Sequence, residues 1–349
     1  MDLSVLIFLA SGLFLGWSLG ANDAANVFGT AVGTRMVRFS TAALVCSIFV
    51  VLGAVISGAG TTETLGKLGA ISALAGAFMA ALSAAVSVYL MTKRGIPVST
   101  TQAIVGAIVG WNVFSGSETD AGSLYKIIAT WIACPILAGL IAIPLFKLVK
   151  YVLTKSQFHL LRLDAYTRLA LIIAGAFGAY SLGANNIANV VGVFVPASPF
   201  TDFDAGELFT FSAIEQLFLL GGLAIAVGIF TYSRHVMFTV GQNLATMTPV
   251  AAWVVVVAHS IVLFVFASRG LESMLSGAGL PTIPLVPVSS SQAVVGAVVG
   301  LGLMRHSRGI DWPLLGMISL GWVLTPFFAG ILCFVGLFVL QNVFNQAVM

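Results

Sequence analysis

Charged side chains are scarce in this chain: Asp, Glu, Lys and Arg supply 8% of its 349 residues, against roughly a quarter in an ordinary soluble domain. A water-soluble fold is thereby excluded. Cysteine is nearly missing as well, because Cys46, Cys134 and Cys333 lie far apart inside apolar runs, which fits neither a disulfide framework nor a metal site. No Ser or Cys has a convincing partner base, and the four histidines do not stand at metal-ligand spacing from acids. An intramembrane enzyme therefore has no support. The net charge is only +3 and no basic run occurs, so nothing points to nucleic acid. No basic residue precedes Leu3–Leu19, and that stretch runs into Asn22 and Asp23, so the first helix is expected to be retained and not cleaved as a signal.

What the chain has is apolar sequence, 59% of it hydrophobic, with a mean hydropathy of +1.07. It reads as an all-α membrane protein. A spanning helix takes about 20 apolar residues, which predicts ten crossings, near 3–33, 40–60, 70–91, 97–115, 124–149, 169–195, 208–232, 249–268, 285–304 and 313–340. With both termini outside, the loops at Arg35/Arg38, Lys93/Arg94, Lys147 to Arg168, Arg234 and Arg305/Arg308 all face the cytoplasm. They hold all of the 15 Lys and Arg except Lys67, Lys126 and Arg269. One orientation thus satisfies the positive-inside rule throughout, in a plasma membrane.

Two polar peptides occur twice. Gly20-Ala21-Asn22-Asp23-Ala24-Ala25-Asn26 returns as Gly183-Ala184-Asn185-Asn186-Ile187-Ala188-Asn189, and Pro97-Val98-Ser99-Thr100-Thr101-Gln102-Ala103 returns as Pro287-Val288-Ser289-Ser290-Ser291-Gln292-Ala293. Trp131, Pro135 and Ala138-Gly139 recur as Trp322, Pro326 and Ala329-Gly330. The duplication therefore covers whole halves: a first repeat over 1–146, an amphipathic cytoplasmic linker over 147–168 and a second repeat over 169–349. Five crossings per half invert the second copy. Inverted repeats with broken helices meeting at a midplane site are the pattern of secondary transporters.

Each motif reads as a helix break, with Gly20 and Gly183 opening a helix without strain and Ser or Thr after proline capping a new start. Exposed N–H groups at such a start favour an oxyanion, while freed carbonyls favour a cation. Candidate anion ligands are Asp23, Asn26, Thr100, Thr101, Asn186, Asn189, Ser290 and Ser291. Candidate sodium ligands are Asn22, Asp23, Gln102, Asn185, Asn186 and Gln292. A bare Asp23 carboxylate would repel a bound oxyanion in a poorly screened interior, so a sodium ion or a proton must lie between them. Either makes the process a symport, and an ionised acceptor would select monoprotonated phosphate over sulfate.

At these residues the chain resembles the inorganic phosphate transporter (PiT) family, whose signature is a Gly-Ala-Asn-Asp segment in both halves. Gly29-Thr30-Ala31-Val32-Gly33, Arg234, Thr239-Val240-Gly241 and Thr248-Pro249 extend the match. The resemblance implies phosphate uptake driven by sodium or protons, an inverted-repeat fold, external termini, a homodimer and an elevator-like movement. The chain departs from the family in three places. Asn186 replaces the Asp of many members, and Val50 replaces a glutamate of animal members. Gln102 and Gln292 stand where several relatives have histidine, which favours sodium over a proton relay. Proton-coupled phosphate or sulfate transport on the same fold is the alternative. An ion channel is disfavoured because the polar residues cluster at four places and do not form a continuous polar face.

Other polar residues carry weaker signals. Glu215 reads either as a functional carboxylate or as half of a buried pair with Gln216. His259 reads as a neutral histidine satisfied by a carbonyl, Arg234 as a topology anchor and Glu63 as a solvent-facing acid. The segment from His159 to Arg168 reads as an interfacial helix.

Overall fold

The computed structural model describes residues 3–69, 71–93, 98–156, 159–204, 210–243, 247–304 and 310–349. The first half contains α1 (Leu3–Gly33), α2 (Phe39–Ser57), α3 (Ala59–Leu68), α4 (Leu74–Thr92), α5 (Thr100–Ser115) and α6 (Ala121–Ser156). The second contains α7 (Leu160–Val191), α8 (Ala213–Asn243), α9 (Pro249–Val265), α10 (Arg269–Gly277), α11 (Ser290–Met304) and α12 (Trp312–Asn342). A two-residue antiparallel ribbon, β1 (Phe203–Asp204) with β2 (Thr210–Phe211), and a 3-10 turn at Gly192–Phe194 are small additions to an all-helical membrane fold. Helix is what a bilayer demands, since it leaves no backbone hydrogen bond to be found in lipid. Large apolar side chains such as Ile132, Ile136, Phe327 and Ile331 stand exposed on the outer faces, where acyl chains replace water.

Among the described residues the ten crossings are not uniform. Seven helices there are long and apolar enough to span by themselves, and α9 reaches that standard only when joined to α10, from which it is bent by 67°. Helices α5 and α11, of 16 and 15 residues, rise only about 22–24 Å at 1.5 Å per residue, short of the roughly 30 Å apolar core. Residues 98–99 and 280–289 ahead of them are not helical. The breaks expected at the Pro-Val-Ser motifs are thus present, although Pro97, Arg94, Glu207, Arg305 and Arg308 lie outside the described residues.

The breaks expected at Gly20 and Gly183 are not present. Helices α1 and α7 run unbroken through both Asn motifs. A Cβ on Gly20 would lie 2.0 Å from the Ile225 carbonyl oxygen, and one on Gly183 would lie 2.0 Å from that of Val50. These glycines bring two backbones together; they do not open a helix.

Partners are exchanged between the halves. Helix α1 packs on α8 and α2 on α7, α1 on α4 and α7 on α9, α5 on α12 and α11 on α6. Gly106 of α5 meets the backbone of Pro326, while Gly296 of α11 meets that of Pro135. The recurring Trp-Pro-Ala-Gly segments thus form seams between halves. Residues 147–168 are mostly absorbed into the ends of α6 and α7, not set apart as a separate interfacial helix.

One end of the bundle is drawn together by polar contacts. Asn112 Nδ2 donates to the Leu68 carbonyl at 2.9 Å, Thr64 Oγ1 to that of Leu285 at 2.5 Å and Arg269 to that of Ala59 at 3.2 Å. Glu63, 60% exposed, takes Lys67 at 2.8 Å and Arg269 at 3.4 Å. The Lys67 hydrogen bond, then its charge, holds the Glu63 carboxyl below the usual range. Glu215 does not pair with Gln216. It closes a capping box, accepting from the Ser212 N–H and hydroxyl at 2.8 Å while Ser212 Oγ accepts from its N–H at 3.2 Å. Gln216 donates instead to the carbonyls of Thr201 and Phe211. Arg234 lies 6.0 Å from the ring centres of Phe39 and Phe238, which ties the end of α8 to the start of α2.

Candidate functional site

The four duplicated motifs converge. Asn22 and Asn26 are one helical turn apart on α1, with Asp23 between them, and Asn185, Asn186 and Asn189 repeat the arrangement on α7. Facing them are the first turns of α5 and α11. All twelve predicted site residues are buried, none more than 4% exposed.

Asp23 is the centre. Its Oδ1 accepts from Asn22 Nδ2 at 2.8 Å and Asn26 Nδ2 at 3.4 Å; its Oδ2 accepts from Thr100 Oγ1 at 3.3 Å and Asn186 Nδ2 at 3.5 Å. Among the described residues no Lys, Arg or His pairs with it. The amide donors that turn toward Asp23 leave their carbonyls behind: Asn22 Oδ1, Asn26 Oδ1, Asn186 Oδ1 and the neighbouring Asn189 Oδ1 are buried with no donor. Buried polar atoms are normally satisfied, so the polar cage around Asp23, lined by amide nitrogens and a hydroxyl, leaves four asparagine oxygens with unused accepting capacity. Hard cations take such oxygen donors.

The halves are stitched across this cage. Asn26 Nδ2 donates to Ser290 Oγ at 3.1 Å and Asn189 Nδ2 to Thr101 Oγ1 at 2.9 Å, while Thr101 Oγ1 donates to the Val288 carbonyl at 3.1 Å. Ser99 and Ser289 cap their helices by accepting from the Gln102 and Gln292 N–H groups at 3.2 and 3.3 Å. The N–H groups of Thr100, Thr101, Ser290 and Ser291 lie ahead of the first intrahelical bond, which makes each start an anion-favouring end. Ser289 Oγ and Ser291 Oγ lie 3.1 Å apart.

Three predicted ligands behave differently. Asn185 has both polar atoms occupied: Nδ2 donates to the carbonyls of Leu263 and Val286 at 3.3 and 3.2 Å, and Oδ1 accepts from the Val288 N–H at 2.8 Å. It anchors the extended segment before α11. Gln102 and Gln292 sit two residues beyond Thr100 and Ser290, so they point away from the Asp23 face. They line a groove of about 750 Å³ between α5, α6, α11 and α12, each with an unpartnered Oε1.

His259 was not expected in the site. Its Nε2 lies 2.9 Å from Ser290 Oγ, so its partner is a serine hydroxyl and not a carbonyl, and its Nδ1 is buried without a partner. The signal that marks it is the cost of an ionisable group inside a membrane. The carbonyl of Val98, which accepts from Asn22 Nδ2 at 2.9 Å, has no sequence signature.

Thr101→Val tests the stitching, because it removes one hydroxyl that serves two buried partners. Each orphaned group costs about 1–3 kcal/mol. The variant is expected to lower the unfolding temperature in detergent and weaken anion binding roughly tenfold, about 1.4 kcal/mol, as read by titration calorimetry.

Long apolar helices around a buried polar cage contributed by both halves fit a membrane transport protein. The chain belongs to the phosphate transporter family, whose sequence profile matches residues 19–333. A chain from Pyrococcus abyssi that carries the name phosphate permease is 27% identical, covering 95% of this chain and 96% of its own. The sulfate permease of Bacillus subtilis is also 27% identical, over 94% of this chain and 84% of its own. A solved structure titled the sodium-dependent phosphate transporter superposes with a TM-score of 0.74 at 23% identity, covering 97% of this chain and 99% of that one. That likeness fixes the fold.

Proposed function

We propose that the protein is a sodium-coupled symporter of inorganic phosphate in the plasma membrane, built as two inverted repeats with external termini. The observation that carries the reading is Asp23, a buried carboxylate with no cationic partner among the described residues, in a cluster where the Asn22, Asn26, Asn186 and Asn189 side-chain oxygens have no donor. Sodium is the missing charge. Asp23, Asn22, Asn26, Asn186 and Asn189 hold it, and the hydroxyls and N–H groups of Thr100, Thr101, Ser290 and Ser291 hold phosphate beside it. His259 steadies the Ser290 hydroxyl. The exchange of helix partners between halves supports the inverted repeat, the relative named a sodium-dependent phosphate transporter supports the ion, and a homodimer follows the family resemblance.

The site is buried from both ends, so binding and release require the α5/α11 face to part from α1/α7 on one side at a time. Proteoliposomes test the coupling. Phosphate uptake should be fast with an inward sodium gradient and slow with a proton gradient or with neither. Equal flux under all three conditions removes symport; flux driven only by protons replaces sodium with a proton on Asp23 or on the anion. The B. subtilis relative names the second substrate to try, and excess sulfate should leave labelled phosphate uptake unchanged.

A further inference from the structure

A second anion-recognising surface lies away from the transport site, at the end of the bundle that the charge distribution assigns to the cytoplasm. A cavity of about 760 Å³ opens between the ends of α6, α9 and α11, bounded by Lys147, Lys150, Tyr151, Thr154, Thr248 and Met304. Lys147 and Lys150 have no ion pair among the described residues. Asp164 is the one acidic residue between 147 and 168, and it is bound to Arg168 at 3.1 Å. Lys155 lies over the Tyr151 ring, 5.8 Å from its centre, so the local charge is uncompensated and positive.

An apolar groove of about 230 Å³ adjoins this cavity. Its walls include Val149, Leu163, Ala170 and Trp253, and it shares Leu153 and Val250 with the basic pocket. Trp253 is held in place by its Nε1, which donates to the Ala170 carbonyl at 3.1 Å. A basic cavity continuous with an apolar groove at the end of long apolar helices has the two-part chemistry of a phospholipid. The apolar groove continuous with the lysines favours a lipid over a free anion, which would leave that groove unused. The leaflet follows from the orientation proposed above, since anionic lipids enrich the cytoplasmic side and attract lysines near it.

We propose that this site holds an anionic phospholipid of the inner leaflet, its phosphate on Lys147 and Lys150 and one acyl chain along Leu153, Val250 and Trp253. The ligand ties α6 to α9, one from each half. Only the leaflet rests on the transport orientation; the chemistry of the site does not.

The test uses the full-length protein in detergent, titrated with phosphatidylglycerol or phosphatidylcholine of identical acyl chains, with thermal unfolding and native mass spectrometry as readouts. Phosphatidylglycerol should raise the unfolding temperature and be retained through mass analysis, while phosphatidylcholine does neither. In Lys147→Gln/Lys150→Gln the lipid-dependent shift should vanish, with the lipid-free unfolding temperature and sodium-driven uptake in neutral lipid unchanged. That pair of controls separates loss of the lipid site from loss of the fold or of transport. Leu153→Asn should weaken phosphatidylglycerol retention about tenfold while leaving both lysines in place. Equal response to the two lipids overturns the proposal, as does a shift that survives in the double variant. A shift that inorganic phosphate alone reproduces through the same lysines also overturns it, and makes the cavity a free-anion site.

Discussion

Asp23→Asn should abolish sodium-dependent phosphate uptake, lowering the initial rate in proteoliposomes by about 100-fold, equivalent to about 2.7 kcal/mol. The substitution is nearly isosteric, so the packing around it is kept; what changes is charge and hydrogen-bond sense. The carboxylate accepts from Asn22, Asn26, Thr100 and Asn186. An amide in its place offers one acceptor and introduces a donor into a cage whose remaining free atoms are acceptors. A sodium ion would meet neutral oxygens only, in an interior where opposite charge matters most. The phosphate preference tests the same residue a second way, because an ionised acceptor selects the oxyanion that bears an O–H. A variant that keeps both the wild-type rate and the discrimination against sulfate would remove Asp23 from the coupling mechanism.

The second large effect concerns the seams. Gly20→Ala or Gly183→Ala should destabilise the protein by about 3 kcal/mol, the upper range for overpacking. The new methyl would sit 2.0 Å from a backbone oxygen of Ile225 or Val50. Backbone cannot swing aside as a side chain does, so two helices must separate, carrying the Asn motif two residues downstream with them. Gly66→Ala is the control: nothing lies within 4 Å of its Cβ position, and no fall in the unfolding temperature is expected. Destabilisation equal to that control would remove the close-approach account of these glycines.

The scarcity of charge and the apolar composition disclosed the membrane class, and the duplicated motifs disclosed the family and the residues that meet at the centre, because polar side chains in apolar sequence are costly and therefore informative. Proline followed by Ser or Thr marked the half-helices correctly, since the missing donor and the capping hydroxyl act locally. Glycine was misread at positions 20 and 183. The same residue serves a helix break and a close helix contact, and only the partner helix, distant in sequence, decides between them. Gln102 and Gln292 were grouped with their motif neighbours, yet a helix turns residues two apart to opposite faces. Glu215 was read against Gln216, its sequence neighbour, whereas the helix start at Ala213 puts it in a first turn, where Ser212 is its partner. His259 lacked a motif, and its partner Ser290 lies 31 residues further on.

The paired scaffold contains a single carboxylate, with Asn186 facing Asp23 where a second could stand. With the ionised cage at one negative charge, one sodium ion and one monoprotonated, divalent phosphate would bring it to two, and a second sodium ion would restore it to one. On the proposed symport, two sodium ions per phosphate therefore make a complete turnover electrically silent. Any other number makes the cycle carry current, so membrane voltage becomes a direct meter of how many ions accompany each phosphate.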